Sequence, residues 1–371
     1  MLASMTRAAV LDRPGVPSRI EDLELAQPGP GEVRVRMLAS GVCHSDLHVR
    51  DGEWQRPGPL VMGHEGAGVV EAIGPGVSGL RLGQAVALSW LVPCGVCRQC
   101  RAGRPWACLG SPSFSHRMPD GGTRWRRPDG EAVLTYCAIG TLAEAEIVPA
   151  AAAIPIPEGI DPAAAALIGC CVATGVGAVT KTAEVPAGSS VAVIGLGGVG
   201  LSCVMGAALA GAGAVVAIDR VPSKLDTATS VGATATILAG DAAETLEQLR
   251  DLTDGGPDFV FEAIGRPETI NLAIAALPID GAAVLVGMTP HGVHASFEVY
   301  PFVDGSRRIL GSNYGFADPA VDFPRYAQLH LGGRLPIDRL VDRRLSLDEL
   351  EDAFEGLRRG AFTRQVVVFG P

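Results

Sequence analysis

The spacing of hydrophobic residues changes near residue 170 and predicts two kinds of fold in one chain. From about residue 6 to 170, short apolar runs alternate with Gly and Pro, for example Val33–Leu38, Gly66–Ile73 and Gln84–Leu88. Runs of this length favour β-strands in a partly antiparallel, barrel-like domain.

After a turn-rich passage at Pro155–Pro162, an Ala-rich helix is predicted from Ala163. Strands Ser190–Ile194 and Ala214–Ile218 then flank a glycine turn and a helical segment, and the alternation continues to about residue 312. This pattern is typical of a parallel, doubly wound α/β sheet. Beyond it, we predict a helix at Leu347–Arg358 and a strand, Gln365–Phe369, that returns to the first domain.

Composition narrows the choice of partners and compartment. The 371 residues carry 30 Lys and Arg against 40 Asp and Glu, a formal net charge of −10, which argues against nucleic acid or an anionic membrane as partner. We expect no membrane span, because glycines interrupt the apolar stretch Val191–Ile218. We expect no secretory leader, because the first residues lack a basic region followed by an apolar core and a cleavage site. Nine cysteines fit a reducing cytoplasm, where we expect the protein to be.

Four cysteines stand close together in the run CGVCRQCRAGRPWAC. They are Cys94, Cys97, Cys100 and Cys108. Four thiolates in a tetrahedron suit a closed structural Zn²⁺ site, which has no open position for a substrate. The alternative is four free or disulfide-bonded thiols in a loop.

A second motif is a glycine turn of the pattern G-x-G-x-x-G. Its glycines are Gly195, Gly197, Gly198 and Gly200. The turn follows the strand VAVI and opens a helix, and Asp219 ends the next strand, as in a dinucleotide fingerprint. The Asp219 carboxylate can accept both ribose hydroxyls and would repel a 2′-phosphate, which favours NAD. Arg220 leaves tolerance of NADP open.

Three further metal-ligand types are scattered along the chain: Cys43 in GVCHSDLH, His64 in GHEG, and Cys170 in LIGCC. Two thiolates and one imidazole would leave the fourth position of Zn²⁺ open to water or substrate. Spacing alone does not connect them.

These motifs, in this order and together with FEAIGRPE, resemble the zinc-dependent medium-chain alcohol dehydrogenases over essentially the whole chain. The resemblance implies a GroES-like β-rich catalytic domain at 1–171 with a structural-zinc lobe at 90–110. It further implies a Rossmann NAD-binding domain, a doubly wound parallel sheet, at 172–312 and a return to the catalytic domain at 313–371. Two zinc ions per chain and NAD are the implied cofactors.

The resemblance also implies roles for single residues. Cys43, His64 and Cys170 would bind catalytic zinc, with Cys171 as a one-residue alternative to Cys170. Glu65 would lie beside the zinc, and Asp46 would orient the histidine. The remaining cofactor contacts implied are Thr174 at the nicotinamide, Lys224 at the adenosine ribose, Arg364 at the pyrophosphate, and His44 where some relatives have an arginine.

The implied reaction is hydride transfer between a primary alcohol and NAD(H). Zinc would bind the alcohol oxygen, and the proton would leave through Ser45, the cofactor ribose and His48. Trp54 and Trp90 fall where relatives line the alcohol pocket, and Ala138 stands where several carry an aromatic residue. We therefore predict a bulky apolar or aromatic substrate; the alternative is that the tryptophans only pack between lobes.

Two rival functions stay open. GRPWAC and DFPRYAQLHLGGRLP resemble mycothiol-dependent formaldehyde dehydrogenases, for which four arginines could bind an anionic thiol: Arg117, Arg124, Arg126 and Arg127. Against this reading, His48 supplies the relay of ordinary alcohol dehydrogenases. The other rival is a non-catalytic binding relative, which would hold one metal instead of two. In the family, cofactor domains associate into homodimers or homotetramers, and Ala282–Gly287 and Arg308–Gly311 are candidate edge strands.

Overall fold

A computed structural model describes residues 4–370, which divide into two compact units. The first unit comprises residues up to Cys170, Asp318–Leu331, and the chain from Val341 onward; the second comprises Cys171–Ala317 and Gly332–Leu340. The predicted α/β fold class is confirmed, with a β-rich unit and a unit built on a parallel sheet. No hydrophobic pattern had indicated that residues 332–340 belong to the second unit.

The strands of the described residues are β1 (Ser4–Leu11), β2 (Arg19–Leu25), β3 (Glu32–Val42), β4 (Leu60–Val61), β5 (Gly66–Ile73), β6 (Ala85–Leu88), β7 (Trp125–Arg126), β8 (Ala132–Thr135), β9 (Ala145–Pro149), β10 (Ala153–Pro155), β11 (Ser190–Ile194), β12 (Ala214–Asp219), β13 (Ala235–Leu238), β14 (Phe259–Glu262), β15 (Ala282–Leu285), β16 (Arg308–Gly311), β17 (Val341–Leu345) and β18 (Arg364–Val368). The helices are α1 (His44–Arg50), α2 (Arg98–Arg101), α3 (Pro162–Leu167), α4 (Ala173–Gly177), α5 (Gly198–Ala210), α6 (Pro222–Ser230), α7 (Ala242–Leu252), α8 (Pro267–Ala275), α9 (Val299–Asp304), α10 (Pro319–Leu331) and α11 (Leu350–Arg358).

The first unit combines a closed barrel, β1-β2-β7-β8-β4, with a sheet of order β10-β6-β5-β3-β18-β17, in which β9 also pairs with β3. The last strand, β18, runs antiparallel to β3 and parallel to β17. The apolar face of α11 packs on this sheet, since Phe354 and Leu357 share a core cluster with Val42 and Val367. The sheet thereby gives a rigid base to the loops that follow β3 and precede β5.

The second unit has six parallel strands in the order β13-β12-β11-β14-β15-β16. Strand order reverses at β11, where the chain turns through Gly195 into α5. In open parallel sheets this reversal forms a crevice at the carboxyl ends of the strands, which is where nucleotides bind. The fold thus places the glycine turn at the expected binding position.

One segment of the chain bears on the expectation that there is no membrane span. The segment Pro162–Thr182 is long and apolar enough, by length and composition, to cross a membrane. Its most apolar window is 83% buried inside the protein, and core helices pass the same test. It contains α3, α4 and two π-helical turns, Ile168–Val172 and Ala178–Thr182. The apolar character of this segment therefore follows from its packing in the interior.

Candidate active site and metal centres

Helix α1 begins at the first of the scattered ligand types. Cys43 is its N-cap, in extended conformation, and the carboxylate of Asp46 accepts a hydrogen bond from the Cys43 backbone N–H at 3.2 Å. The other oxygen of Asp46 lies 3.0 Å from Nδ1 of His64. Asp46 is completely buried. A single carboxylate therefore holds both the Cys43 backbone and the His64 ring.

The scattered residues meet in the first unit. One atom each from Cys43, His64, Glu65 and Cys170 lies within 4.8 Å of the others. Cys170 reaches this group from the π-helical turn Ile168–Val172, a type of irregularity frequent at functional sites. Its neighbour, Cys171, is completely buried and lies outside the cluster. The geometry thus favours Cys170 over the one-residue alternative.

The donor set fits a metal ion. Tetrahedral Zn–S bonds imply sulfur atoms about 3.8 Å apart, compatible with this cluster. Nε2 of His64 is buried without a hydrogen-bond partner among residues 4–370, while Nδ1 faces Asp46. A neutral ring donating through Nδ1 presents its Nε2 lone pair to a metal. A hydrogen bond from Cys170 also lowers the pKa of Cys43 well below its usual value, although burial opposes this.

Glu65, a member of the cluster, forms an ion pair with Arg364. Nη2 of Arg364 donates to Oε2 of Glu65, and both side chains are buried. Burial raises the pKa of Glu65 to about 7, while Arg364 opposes the shift. A Cβ atom at Gly41 would lie 2.1 Å from Oε2 of Glu65, so this position has no room for a side chain. The implied contact of Arg364 with a pyrophosphate remains a prediction.

The four-cysteine lobe forms a second cluster, and its four sulfur atoms also lie within 4.8 Å of one another. Backbone N–H groups point at these sulfurs: that of Cys94 at Cys108 (3.2 Å), and those of Cys100 and Leu109 at Cys97 (3.5 Å each). The N–H groups of Cys100 and Leu109 lower the pKa of Cys97 to about 6, whereas burial raises the pKa of Cys100 to about 12 and also raises that of Cys108. Thiolates held in this way fit a closed Zn²⁺ site.

The glycine turn of the second unit has the shape that a dinucleotide requires. A Cβ at Gly200 would lie 1.7 Å from the carbonyl oxygen of Gly195, so α5 and the turn can approach only with glycine there. A Cβ at Gly197, the N-cap of α5, would meet nothing within 4 Å, which leaves space for a phosphate. The Asp219 carboxylate accepts from the backbone N–H groups of Leu196 (2.7 Å) and Val221 (3.0 Å).

Other predicted cofactor residues lie on nearby elements of their own units. In the second unit, Arg220 is exposed and Lys224 half-buried at the start of α6, and Thr174 is buried in α4. In the first, His44 is exposed in the first turn of α1. Their roles remain predictions.

The predicted relay residues both lie on α1. Ser45 and His48 are half-buried, and Nδ1 of His48 lies 2.5 Å from a carboxylate oxygen of Glu53. The ring of Trp54 stacks on His48, with centroids 4.7 Å apart. Sequence reasoning did not single out Glu53. A carboxylate five residues after a candidate relay histidine was the only signal.

The ring of Tyr136 lies against His64. Tyr136 presents its ring at 89° to that of His64, with centroids 5.6 Å apart, and sequence reasoning missed it. Ala138 is completely buried, Trp54 is 7% exposed within a core cluster, and Trp90 is half-buried. Their roles in substrate binding remain predictions.

The four arginines proposed for an anionic thiol have partners within the chain. Arg124 donates to Glu32 and Asp120, and Arg127 contacts Asp12, Glu21 and Glu131. Arg117 and Arg126 donate to the carbonyl oxygens of Gly121 and Gly130. The charges of Arg124 and Arg127 are thus balanced by carboxylates of the first unit.

The β-rich unit with its two four-residue clusters, together with the doubly wound unit and its glycine turn, defines a medium-chain dehydrogenase. Two family models agree: the alcohol dehydrogenase GroES-like domain matches residues 29–158, and the zinc-binding dehydrogenase model matches residues 198–330. The chain belongs to the zinc-dependent medium-chain alcohol dehydrogenase family.

Relatives match along nearly the whole chain. An NDMA-dependent alcohol dehydrogenase from Amycolatopsis methanolica is 35% identical over 370 residues, 98% of each protein. An alcohol dehydrogenase zinc-binding domain protein from Burkholderia ambifaria superposes with a TM-score of 0.94 at 35% identity, covering 99% of this chain and 100% of that one. Benzyl alcohol dehydrogenase from Acinetobacter calcoaceticus superposes with a TM-score of 0.92 at 32% identity and the same coverage. Such relatives make the protein an oxidoreductase of the alcohol dehydrogenase type.

Proposed function

We propose that this protein is a zinc- and NAD-dependent dehydrogenase of bulky apolar or aromatic primary alcohols, acting in either direction between alcohol and aldehyde. The observation that carries the proposal is the buried cluster of Cys43, His64 and Cys170, in which Nε2 of His64 is without a partner and Nδ1 faces Asp46. Three protein donors leave the fourth position of Zn²⁺ for a substrate oxygen.

The cofactors would supply Lewis-acid polarisation of the substrate oxygen and acceptance of the hydride. The chain's own residues prepare the site. Asp46 holds the imidazole of His64 in the tautomer that coordinates metal. Ser45 Oγ and the ring of His48 handle the substrate's hydroxyl proton, and the half-buried position of His48 allows its release to water. The buried surroundings of the cluster exclude bulk water from the reacting atoms.

Residues of the second unit favour NAD over NADP as the cofactor. Asp219 ends β12 beside the glycine turn, where its carboxylate would accept the adenosine ribose hydroxyls and repel a 2′-phosphate. Gly197 leaves the space that a pyrophosphate would occupy at the N-terminus of α5. In the lobe, Cys94, Cys97, Cys100 and Cys108 would hold a second, structural zinc.

The substrate class is supported by aromatic side chains. Tyr136 lies edge-on to His64, Trp90 is half-buried, and Trp54 packs against His48. An apolar, flat substrate would gain both area burial and ring contacts in such surroundings. The structural relative that acts on benzyl alcohol supports the same class.

The proposal is tested by NAD⁺ reduction with ethanol, hexanol, benzyl alcohol and cinnamyl alcohol, alongside metal analysis. We expect two zinc ions per chain and a higher kcat/KM for the bulky alcohols than for ethanol, without added thiol. Separate arms supply NADP⁺, NDMA as acceptor, and formaldehyde with a low-molecular-weight thiol. Turnover confined to the thiol arm would replace the proposal by a thiol-dependent formaldehyde dehydrogenase. One metal per chain without turnover would indicate a non-catalytic relative.

We further propose that the protein is a homodimer or homotetramer formed through its second unit. Of the two predicted edge strands, Ala282–Gly287 is wrong, because β15 pairs with both β14 and β16. Strand β16 pairs only with β15 among the described strands, so its outer edge is open. Helix α9 carries three exposed apolar side chains: Val299, Tyr300 and Val303. An unpaired edge beside an apolar patch favours association with a second copy.

A further inference from the structure

We propose that Glu53 is a positioning residue for His48, which it holds in the tautomer and orientation needed to accept a proton at Nε2. The inference rests on the proposed function, since it assigns to Glu53 a part in the proton transfer of that reaction.

The geometry around His48 is set by the end of α1. His48 lies in its last turn, and the chain reverses through Gly52, whose φ of +83° favours glycine, to bring Glu53 back alongside. Oε2 of Glu53 lies 2.5 Å from Nδ1 of His48. The backbone N–H of Trp54 donates to the carbonyl oxygen of His48 at 3.1 Å, so the loop is tied to the helix.

One face of the His48 ring is also covered. The indole of Trp54 stacks on His48 at 27° between planes, and the guanidinium of Arg56 lies 6.0 Å above that indole. Among the residues described, the other titratable ring near His48 is that of His44, at 6.4 Å. The side chains of His48 and Glu53 are 23% and 46% exposed. The pair therefore lies at the water-facing side of α1, where a relay would end.

This geometry has a defined chemical consequence. A carboxylate accepting from Nδ1–H places the proton of the neutral imidazole on Nδ1 and leaves the Nε2 lone pair available. When Nε2 takes the proton that the alcohol gives up, the Nδ1 proton stays in place, and Glu53 stabilises the positive charge. Nε2 then releases its proton to water, which restores the neutral ring.

A surface ion pair without this role would have little effect. Exposed ion pairs contribute little to stability, so a purely structural Glu53 would leave turnover nearly unchanged. Glu71 offers a matched control, because it pairs with Arg34 at 2.8 Å and its side chain is 45% exposed.

The kinetic test is the burst of NADH formation with benzyl alcohol in stopped flow, which isolates the chemical steps from cofactor release. We expect E53Q to slow the burst about 3- to 10-fold, a fraction of what a general base contributes, with KM nearly unchanged. E53D should recover part of the loss, added imidazole buffer should recover it further, and E71Q should behave as wild type. In the H48Q background, E53Q should have no additional effect. An equal loss in that background, or no loss at all, would overturn the proposal.

A second measurement does not depend on turnover. Two-bond ¹⁵N–¹H NMR of histidine-labelled protein at about pH 9, where imidazoles are neutral, reports the tautomer of each ring, and H48Q assigns the His48 signals. We expect the Nδ1–H tautomer in the wild type and E71Q, and a mixture in E53Q. Unchanged signals in E53Q would refute the positioning role even in an active enzyme. The expected signals in a protein that oxidises no alcohol would refute the proposed function alone.

Discussion

The carboxylate of Asp46 lies 3.0 Å from Nδ1 of His64, and the same carboxylate accepts the backbone N–H of Cys43. One completely buried side chain therefore orients two candidate ligands that are 21 residues apart in the sequence. Substituting asparagine for Asp46 removes the charge and keeps the shape of the side chain, so it tests whether the charge is needed to orient the ligands.

We predict that D46N lowers the affinity of the catalytic zinc about 10- to 100-fold, because the amide supports a metal-bound imidazole less well than a carboxylate does. Competition with a coloured chelator measures that affinity, and kcat for benzyl alcohol should fall with it. D22N, an exposed change in β2, is the control. Unchanged zinc affinity in D46N would show that Asp46 only caps α1.

The folding of the cysteine lobe should depend on the metal bound there, while the rest of the first unit should not. We predict that C97S removes one zinc per chain and leaves the other bound, because the two clusters share no ligand. Without the metal, the lobe has little apolar core of its own and should open, so trypsin should cleave after Arg98 or Arg101.

V96S is the matched control, since Val96 is 68% exposed in the same loop and supplies no thiol. Metal analysis and the trypsin digestion pattern are the measurements. Loss of both metals from C97S would mean that the lobe supports the whole first unit.

Cofactor choice should respond to Asp219. We predict that D219N reduces the preference for NAD⁺ over NADP⁺ about 10- to 100-fold in kcat/KM, which corresponds to the loss of a charged hydrogen bond to the ribose. The asparagine oxygen can still accept from the backbone of Leu196, so the turn should keep its shape. D226N, exposed on α6, should leave the preference unchanged. An unaltered ratio in D219N would place the discrimination elsewhere.

A buried carboxyl group in the barrel should make stability depend on pH. Glu146 is completely buried, and the indole N–H of Trp125 donates to both of its oxygens, at 3.0 and 2.8 Å. Burial raises its pKa well above the usual 4.5, although Trp125 and the backbone N–H of Ile147 oppose the shift. The folded state therefore keeps a proton that the unfolded state has already lost at intermediate pH.

The stability that this proton contributes is fully present below about pH 4.5 and is lost as the pH rises through the folded-state pKa. E146Q carries no such proton, so the free energy of unfolding of E146Q relative to wild type should increase with pH, by up to about 1.4 kcal/mol per unit. Urea unfolding at a series of pH values measures this difference, with the more exposed E144Q as control. A difference that does not change with pH would contradict the buried titration.

The association of two copies of this protein should depend on the exposed apolar side chains of α9. We predict that V303D halves the mass measured by light scattering, because a charge at a side chain that is 69% exposed in the monomer would become buried against a second copy. V321D, at a position 61% exposed on α10 in the first unit, is the control and should keep the wild-type mass. A wild-type protein that is already monomeric would refute the homo-oligomer.

The hydrophobic patterns that repeat along the chain were sufficient to predict the fold class. Alternating short apolar runs, followed by strand–helix repeats around the turn at Gly195, are local signals, and they predicted a β-rich unit and a parallel doubly wound sheet. The apolar composition of Pro162–Thr182 is consistent with its position in the interior, where 83% of its most apolar window is buried.

The sequence by itself determined the fold class and the types of ligand, because cysteine spacing, glycine turns and strand patterns depend on neighbouring residues. Only the tertiary structure decided which side chains meet. It brings Cys170 and not Cys171 to the cluster, pairs Arg364 with Glu65, and turns the chain after α1 so that Glu53 reaches His48. These contacts depend on a π-helical turn, on a strand that returns from the end of the chain, and on a glycine reversal. The contacts of Cys170 and Arg364 join elements far apart in the sequence, so no short-range pattern encodes them. The contact of Glu53 with His48 spans five residues and depends on how the chain reverses at Gly52.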